Sequence, residues 1–458
     1  MTILQNTRLW RAPLLVGIAA CIGACTVGPN YTRPSAHVPP AYAEAHAQTG
    51  RTLGDIQIGA RWWEIYGDAP LNALVRQVSV GNQSLAAAAA RVRQADAMLR
   101  AAGGARLPSV SAGTVTRGIS GRKDFGLQVA WEIDLWGRVR RNVEAHGADA
   151  QASADDLAAA TLSTQAHVVQ SYFALRIQDA MVEYLQRAVD VNERGLRTVR
   201  NQQKLGVASS AGLAQALARS GSAQTQLADA RLARVQVEHA LAVLVGKSPT
   251  EFSIAATPLP LDAKVPTTPP ELPSQLLERR PGIAAAERRA AAASARIGVS
   301  EAERLPSINL AGGIGVLKGW FGALDLKAAL YRGGASTAGV DQSRAAYDEA
   351  VANYRQAVLE GFQEVEDSLA AQRILGQAAQ ANVEVVNAVL ESERVAANQY
   401  RAGVGKYDAV VESRAAAGQA QTAALDLLQR RLDTSVALIK ALGGGWDEAA
   451  ADQSVRTQ

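Results

Sequence analysis

Hydrophobic positions along this chain follow two rhythms, one of period two and one stepping by three and four, and each rhythm occurs twice. Phe125, Leu127, Val129, Trp131, Ile133 and Leu135 alternate with Gly126, Gln128, Ala130, Glu132 and Asp134. Ile308, Leu310, Ile314 and Val316 alternate with Asn309, Ala311, Gly313 and Gly315, and Trp320, Leu324, Leu326, Ala328 and Leu330 with Phe321, Ala323, Asp325 and Lys327. Ser109 to Arg117 is a weaker stretch of the same kind. Period two marks a strand with one apolar face, so the pattern predicts two β-hairpins, at about 108–135 and 307–330.

The second rhythm is helical. Phe173, Ile177, Ala180, Tyr184, Ala188 and Val191 form one row, and Val383, Val386, Leu390, Ala397 and Tyr400 another. Proline, which breaks helices and central strands, is absent between Pro108 and Pro249 and after Pro306. Long helices are therefore expected from Arg138 to about Gln203 and from Ser336 to Tyr400. At 1.5 Å per residue each reaches roughly 100 Å. Gly206 and Gly403 then turn the chain, and second helices return toward Gly246 and Gly443, where a glycine just past the end fits a left-handed cap. Shorter helices are expected before each hairpin, at Leu71 to Ala102 and Leu276 to Ala302.

The words repeat as well as the rhythms. Arg106-Leu107-Pro108-Ser109-Val110 recurs as Arg304-Leu305-Pro306-Ser307-Ile308, and Lys204-Leu205-Gly206-Val207 as Arg401-Ala402-Gly403-Val404. A spacing near 200 residues is far beyond the units of about 20 to 50 residues in solenoids, so the chain reads as a duplicated domain. The expected divisions are a signal at 1–24, an N-terminal arm at 25–60, a first repeat at 61–249, a proline-rich linker at 250–275, a second repeat at 276–445 and a tail at 446–458.

Composition narrows the class. A formal charge of +4 over 458 residues offers no basic field for nucleic acid. Scarce aromatics and abundant alanine suit long helices packed closely through small side chains. Arg8 and Arg11 flank an apolar stretch from Pro13 to Ile22 and small residues follow, which is an export signal. Ile22-Gly23-Ala24-Cys25 fits the lipobox of bacterial lipoproteins, in which Cys25 is acylated and begins the mature chain; the alternative is an ordinary signal with an incidental cysteine. Thr26 stands where an inner-membrane retention signal would carry aspartate, so the expected address is the outer membrane. Elsewhere no apolar run reaches the roughly 20 residues of a membrane-spanning helix. Any crossing must use strands.

Two readings of those strands stay open. One is a soluble sheet with one face on a core. The other is a transmembrane barrel with apolar residues toward lipid and Glu132, Asp134, Asp325 and Lys327 toward a wet lumen. Four strands cannot close a barrel, because the smallest need about eight, and unpaired edges are not tolerated in hydrocarbon. On the barrel reading the chain must oligomerise, and a trimer with twelve strands is the simplest solution.

The whole chain resembles the TolC-like outer-membrane factors, especially the NodT-type efflux lipoproteins. The resemblance is carried by the lipobox followed by Val27-Gly28-Pro29-Asn30-Tyr31 and Pro34, by Trp62-Trp63, by Trp131-Glu132-Ile133-Asp134-Leu135-Trp136-Gly137-Arg138, by Arg280-Pro281-Gly282-Ile283 with Ala286-Glu287, and by Tyr331-Arg332-Gly333-Gly334. It implies a mainly α, internally duplicated chain that forms a homotrimer, with a twelve-stranded outer-membrane β-barrel continuous with a twelve-helix periplasmic α-barrel. It further implies a passive exit duct partnered by a periplasmic adaptor (membrane fusion) protein and an inner-membrane RND-type pump. By motif position Tyr400, Arg401, Asp408, Glu412 and Arg414 fall at the periplasmic gate, while Gly206, Val207, Gly403, Val404, Lys406 and Tyr407 fall at adaptor-contacting tips. Gly282 and Gly212 depart from the family, which usually shows aspartate at the first place and often an acidic residue at the second.

Enzyme readings fare poorly. His37, His46, His146, His167 and His239 are scattered, and no H-E-x-x-H or paired cysteine motif is present. Gly246-Lys247-Ser248 resembles the end of a P-loop, but Leu241 occupies the first glycine and a helix precedes it. No cofactor is expected. A protein-secretion duct of the same fold and a pore-less periplasmic coiled-coil scaffold remain as other classes.

Overall fold

The structure, a computed structural model, describes residues 26–44, 59, 61–117, 122–266, 279–315, 320–327 and 333–446. The export signal, Cys25, most of the second half of the linker and the tail lie outside the described residues. A short 3-10 turn, Trp62–Tyr66, leads into helix α1, Ala69–Gly81, and helix α2, Gln83–Gly104. Strands β1, Ser109–Arg117, and β2, Arg122–Ile133, follow, then the long helix α3, Arg138–Lys204, and the return helix α4, Ser210–Leu244. After the linker come helix α5, Pro281–Ala302, strands β3, Ser307–Gly315, and β4, Trp320–Lys327, the long helix α6, Ala335–Arg401, and the return helix α7, Tyr407–Ala441.

The two halves match element for element in length. Helices α3 and α6 each have 67 residues, α4 and α7 each have 35, and α2 and α5 each have 22. All four helix ends at Gly206, Gly246, Gly403 and Gly443 are closed alike. Gly206 donates to Gln203 O and Val207 to Gln202 O, and Gly403 and Val404 repeat this on Tyr400 O and Gln399 O. These glycines have φ of +79° and +77°, the left-handed conformation of a Schellman cap.

Contacts divide the chain into two compact units, each drawing on both halves of the sequence. The first comprises the arm up to His37, residues 87–158 and residues 281–359. Its sheet runs β1-β2-β3-β4, antiparallel throughout. Most of α5 is buried, largely through alanine, which lets neighbouring backbone come close. The arm docks here. Val27 N–H donates to Trp136 O at 3.1 Å, Thr26 lies against Gly137, Gly28 and Gly298 pack with no room for a Cβ, and Arg141 reaches Asn30 at 2.8 Å. Tyr31 OH donates to Glu287 at 2.5 Å; burial is the main reason its phenol is held well above the usual range, reinforced by Glu287.

The second unit comprises residues 38–86, 159–280 and 360 onward. Its core gathers Trp62, Leu71, Tyr172, Leu175, Leu241 and Ile439. Tyr172 OH donates to Asp68, which also caps α1 by accepting Leu71 N–H at 2.9 Å. Burial, first, pushes the Tyr172 phenol up to about 12. Under the linker, Asp179 is fully buried between Arg176 at 3.1 Å and Arg234 at 2.7 Å. Arg176 and Arg234 donate onward to Ala255 O and Ile254 O, while Glu238 and Asp179 accept Ile254 N–H and Thr257 N–H.

Three boundaries differ from the sequence expectation. The segment Leu71 to Ala102 is two helices, because Asn82 leaves helical conformation at ψ 117°, caps α2 through Leu85 N–H and donates to Leu244 O at 2.8 Å. The segment Leu276 to Ala302 is interrupted at Arg280: Arg279 is helical, and helix α5 starts afresh at Pro281, proline taking the first helical position where no N–H is needed; residues 276–278 lie outside the described residues. Strand β2 stops at Ile133, since Asp134 turns its carboxylate to the backbone of the next helix. Val316 and residues 328–330 also lie outside the described residues.

Candidate functional site

Strand register puts the apolar positions on one face of the sheet. Val110 stands opposite Val129, Leu127 opposite Ile314, Trp131 opposite Leu310 and Ile308 opposite Leu326. Val110, Phe125, Leu127, Val129, Leu310, Ile314 and Leu326 are all exposed. The other face carries Ser111, Gln128, Gly313 and Phe321 in one row and Glu132, Asn309 and Asp325 in another. Among the described residues β1 and β4 each pair on one side only. The sheet thus has a bare apolar face, a polar and glycine-rich face, and two open edges.

The passage from β2 to α3 is built from charge and tryptophan. Glu132 accepts two bonds from Arg138, at 2.8 and 2.5 Å. Asp134 accepts Val139 and Arg140 N–H at 3.0 Å each, which satisfies free donors at a helix start and places negative charge at the positive end of the dipole. Trp131 Nε1–H donates to Arg106 O and Trp136 Nε1–H to Pro306 O, so each tryptophan fastens the Leu-Pro-Ser entry of one hairpin. Lys327 pairs with Asp325 at 3.0 Å. Glu132, Asp134, Arg138, Glu303, Ser307 and Lys327 line a recess of about 400 Å³.

At the other end of the helices the tips are short and bare. Five residues join each long helix to its return helix, and Leu205, Val207 and Val404 are 79, 75 and 81% exposed. Leu205 was not singled out from the sequence, although its exposure equals that of its neighbours. The first return helix is capped by Ser209, which accepts Gly212 N–H at 3.1 Å; the second starts at Tyr407, and Lys406 before it makes no side-chain cap bond. Tyr400 packs against Tyr407 with ring centroids 5.3 Å apart and planes tilted by 57°, and Arg401 donates to Asn398 at 2.6 Å. Arg414 pairs with Glu393 of α6 at 3.0 Å, while Asp408 and Glu412 are exposed. Glu393 was missed because its partner lies 21 residues on, across the turn. Tyr184 sits near the same pair; burial, then Glu393, hold its phenol above the usual range.

No helix among the described residues is long and apolar enough to cross a membrane, and none of their His, Cys, Asp and Glu side chains gather into a metal-holding group.

Comparison with known proteins agrees with this layout. The family described as outer membrane efflux protein matches residues 74–247 and 272–444, one match in each half. The probable efflux pump outer membrane protein TtgC of Pseudomonas putida is 28% identical over 461 residues, covering 94% of each chain. The cation efflux system protein CusC of Escherichia coli is 26% identical, covering 94% of this chain and 98% of that one. The solved outer-membrane channel OprN superposes with a TM-score of 0.82 at 26% identity over 92% of this chain and all of the other. The open-state channel MtrE of Neisseria gonorrhoeae gives 0.79 at 27% identity over 92% and 98%. The chain belongs to the outer membrane efflux protein family and serves as an efflux duct of the outer membrane.

Proposed function

We propose that three copies of this chain assemble around an axis, each giving four strands to a closed twelve-stranded barrel and four long helices to a twelve-helix periplasmic tunnel. One observation carries the reading: a four-stranded sheet with an uncovered apolar face and two open edges. Lipid would accept the apolar face, but hydrocarbon does not tolerate unpaired strand edges, so β1 must find β4 of another copy. Glu132, Asp134, Asp325 and Lys327 then border the lumen where barrel meets tunnel. The two halves act as repeats 61–249 and 276–445 joined by the linker 250–275, and acylation of Cys25 ties the arm at 25–60 to the membrane.

A passive duct needs a lining and a door. Tyr400, Arg401, Asp408, Glu412 and Arg414 form the door at the periplasmic end, where threefold symmetry turns each acid into a ring of like charges that attracts cations. The exposed tips at Gly206, Val207, Gly403, Val404, Lys406 and Tyr407 receive a periplasmic adaptor, which brings an inner-membrane RND-type pump. Relatives of similar identity bear names of toluene, antibiotic and cation efflux. Cargo is therefore set by the pump, and this duct passes small molecules.

Planar-bilayer recording of the purified protein tests this. The expected result is a pore from a species of trimer mass, with Glu412→Lys changing single-channel conductance and cation preference and Cys25→Ser abolishing palmitate incorporation. A water-soluble monomer without conductance would overturn the assembly.

A further inference from the structure

Two tyrosine-glycine contacts join α3 to α7 reciprocally. On α3, Tyr184 and Gly195 are eleven residues apart; on α7, Tyr407 and Gly418 are also eleven apart. Eleven residues is close to three helical turns, so each tyrosine shares a face with its own glycine. The pairs run in opposite sense. The Tyr184 hydroxyl occupies the place where a Cβ on Gly418 would project, and the Tyr407 hydroxyl comes within 2.5 Å of where a Cβ on Gly195 would stand.

Neither glycine is needed for backbone reasons. Both lie inside helices at negative φ, where glycine is less favourable than alanine. What each provides is a notch for a ring. Gly221, at the same place on α4 as Gly418 on α7, has nothing within 4 Å of an added Cβ. A single seated ring would still allow α7 to pivot about it. Two seats three turns apart fix axial and rotational position together, because sliding by one residue moves a helix 1.5 Å and turns its contact face by 100°. Packed seams of this kind have discrete arrangements rather than a continuous range.

We propose that this seam is a register lock: two tyrosines seated in two glycine notches hold the second hairpin against α3, and the periplasmic tips part when the rings leave their seats. The inference rests on the duct reading and assigns its moving joint. Adding one methyl group at either notch expels the ring and favours the parted state.

The test uses full-length protein carrying Gly418→Ala or Gly195→Ala, read by single-channel conductance and by the distance between spin labels at Lys204→Cys and Ala409→Cys. Each variant is expected to raise conductance at least two-fold and to lengthen the label distance. Removing the hydroxyl leaves ordinary contact at Gly195, where the nearest ring carbon lies 3.8 Å from the Cβ, and at Gly418 leaves a 3.3 Å contact that the ring accommodates by giving a few tenths of an ångström. Tyr184→Phe added to Gly418→Ala, and Tyr407→Phe added to Gly195→Ala, should therefore restore both readouts, and Gly221→Ala should change neither. Parental conductance and distance in both alanine variants, or no rescue by phenylalanine, would overturn the lock. If the parent itself does not conduct, the duct reading fails and the label distances still decide the seam.

Discussion

The two helical hairpins have the same backbone and different side-chain surroundings. Helices α3 and α6 agree in length, as do α4 and α7, and all close on the same glycine cap. Yet α3 buries Tyr172, Phe173, Leu175 and Ile177, whereas α6 leaves Ile374, Val383, Val385 and Leu390 exposed. Duplication copied the lengths, and divergence then redistributed the contacts. The return helix α7 shares the core through Leu425, Leu432 and Ile439, so the difference lies in the long helices: the stretch of α6 leading to its tip keeps an apolar stripe that this chain leaves uncovered.

Equivalent positions show the same split. Arg176 and Arg373 occupy the same place in their helices, and each grips an extended segment: Arg176 holds the linker at Ala255 O, and Arg373 holds Glu44 of the arm at 2.9 Å. Asp179 backs the first grip from a buried position, while Gly376 stands at its counterpart. Breaking both grips sharpens the contrast. Asp179→Ala leaves Arg176 buried without its carboxylate, Arg234 keeping Glu238, and should cost about 3 to 5 kcal/mol, read as a large drop in the denaturation midpoint. Arg373→Ala, which removes a half-exposed pair, should move it far less.

The shared caps should respond alike. Gly206→Ala and Gly403→Ala each force a Cβ into left-handed backbone and should each cost about 1 to 2 kcal/mol; unequal losses would show that the tips are not backbone twins. Their polar caps should not respond alike. Ser209→Ala removes an N-cap acceptor and should cost about 1 kcal/mol, whereas Lys406→Ala removes none and should be neutral, with thermal unfolding as the readout.

The smallest effect concerns Asp433 of α7, whose carboxyl burial pushes up to about 6, partly offset by a hydrogen bond from Gln429. A raised folded-state value means that protonation stabilises the folded chain. That contribution is complete below about 4 and is lost as pH rises through about 6. Asp433→Asn should therefore raise the melting temperature at pH 7.5, by the equivalent of under about 1 kcal/mol after solvent screening, and the gain should vanish near pH 3.5.

Long-range order was legible in the sequence where local rules decide it. Proline-free runs gave the long helices, and period-two apolar residues gave strands whose register aligns them on one face. Local competition was harder to read. Asn82 breaks a helix because its amide bonds Leu244 O, a partner 162 residues away, and Asp134 leaves its strand because the helix start it caps comes next. The buried Asp179 cluster had half a signal, an Arg and Asp three residues apart, but Arg234 is 55 residues on. The seats for Tyr184 and Tyr407 were invisible because each lies on a helix of the opposite half.

The docked arm fixes an order of events. Tyr31 bonds Glu287 across 256 residues, Ala43 N–H bonds Glu366 across 323, and Gly28 lies against Gly298. This arm is made well before α5 and α6 and has nowhere to settle until they have folded, and such distant closures come late. The arm therefore stays a loose leash through most of folding, and in pulse-chase proteolysis it should be the last stretch to become protected.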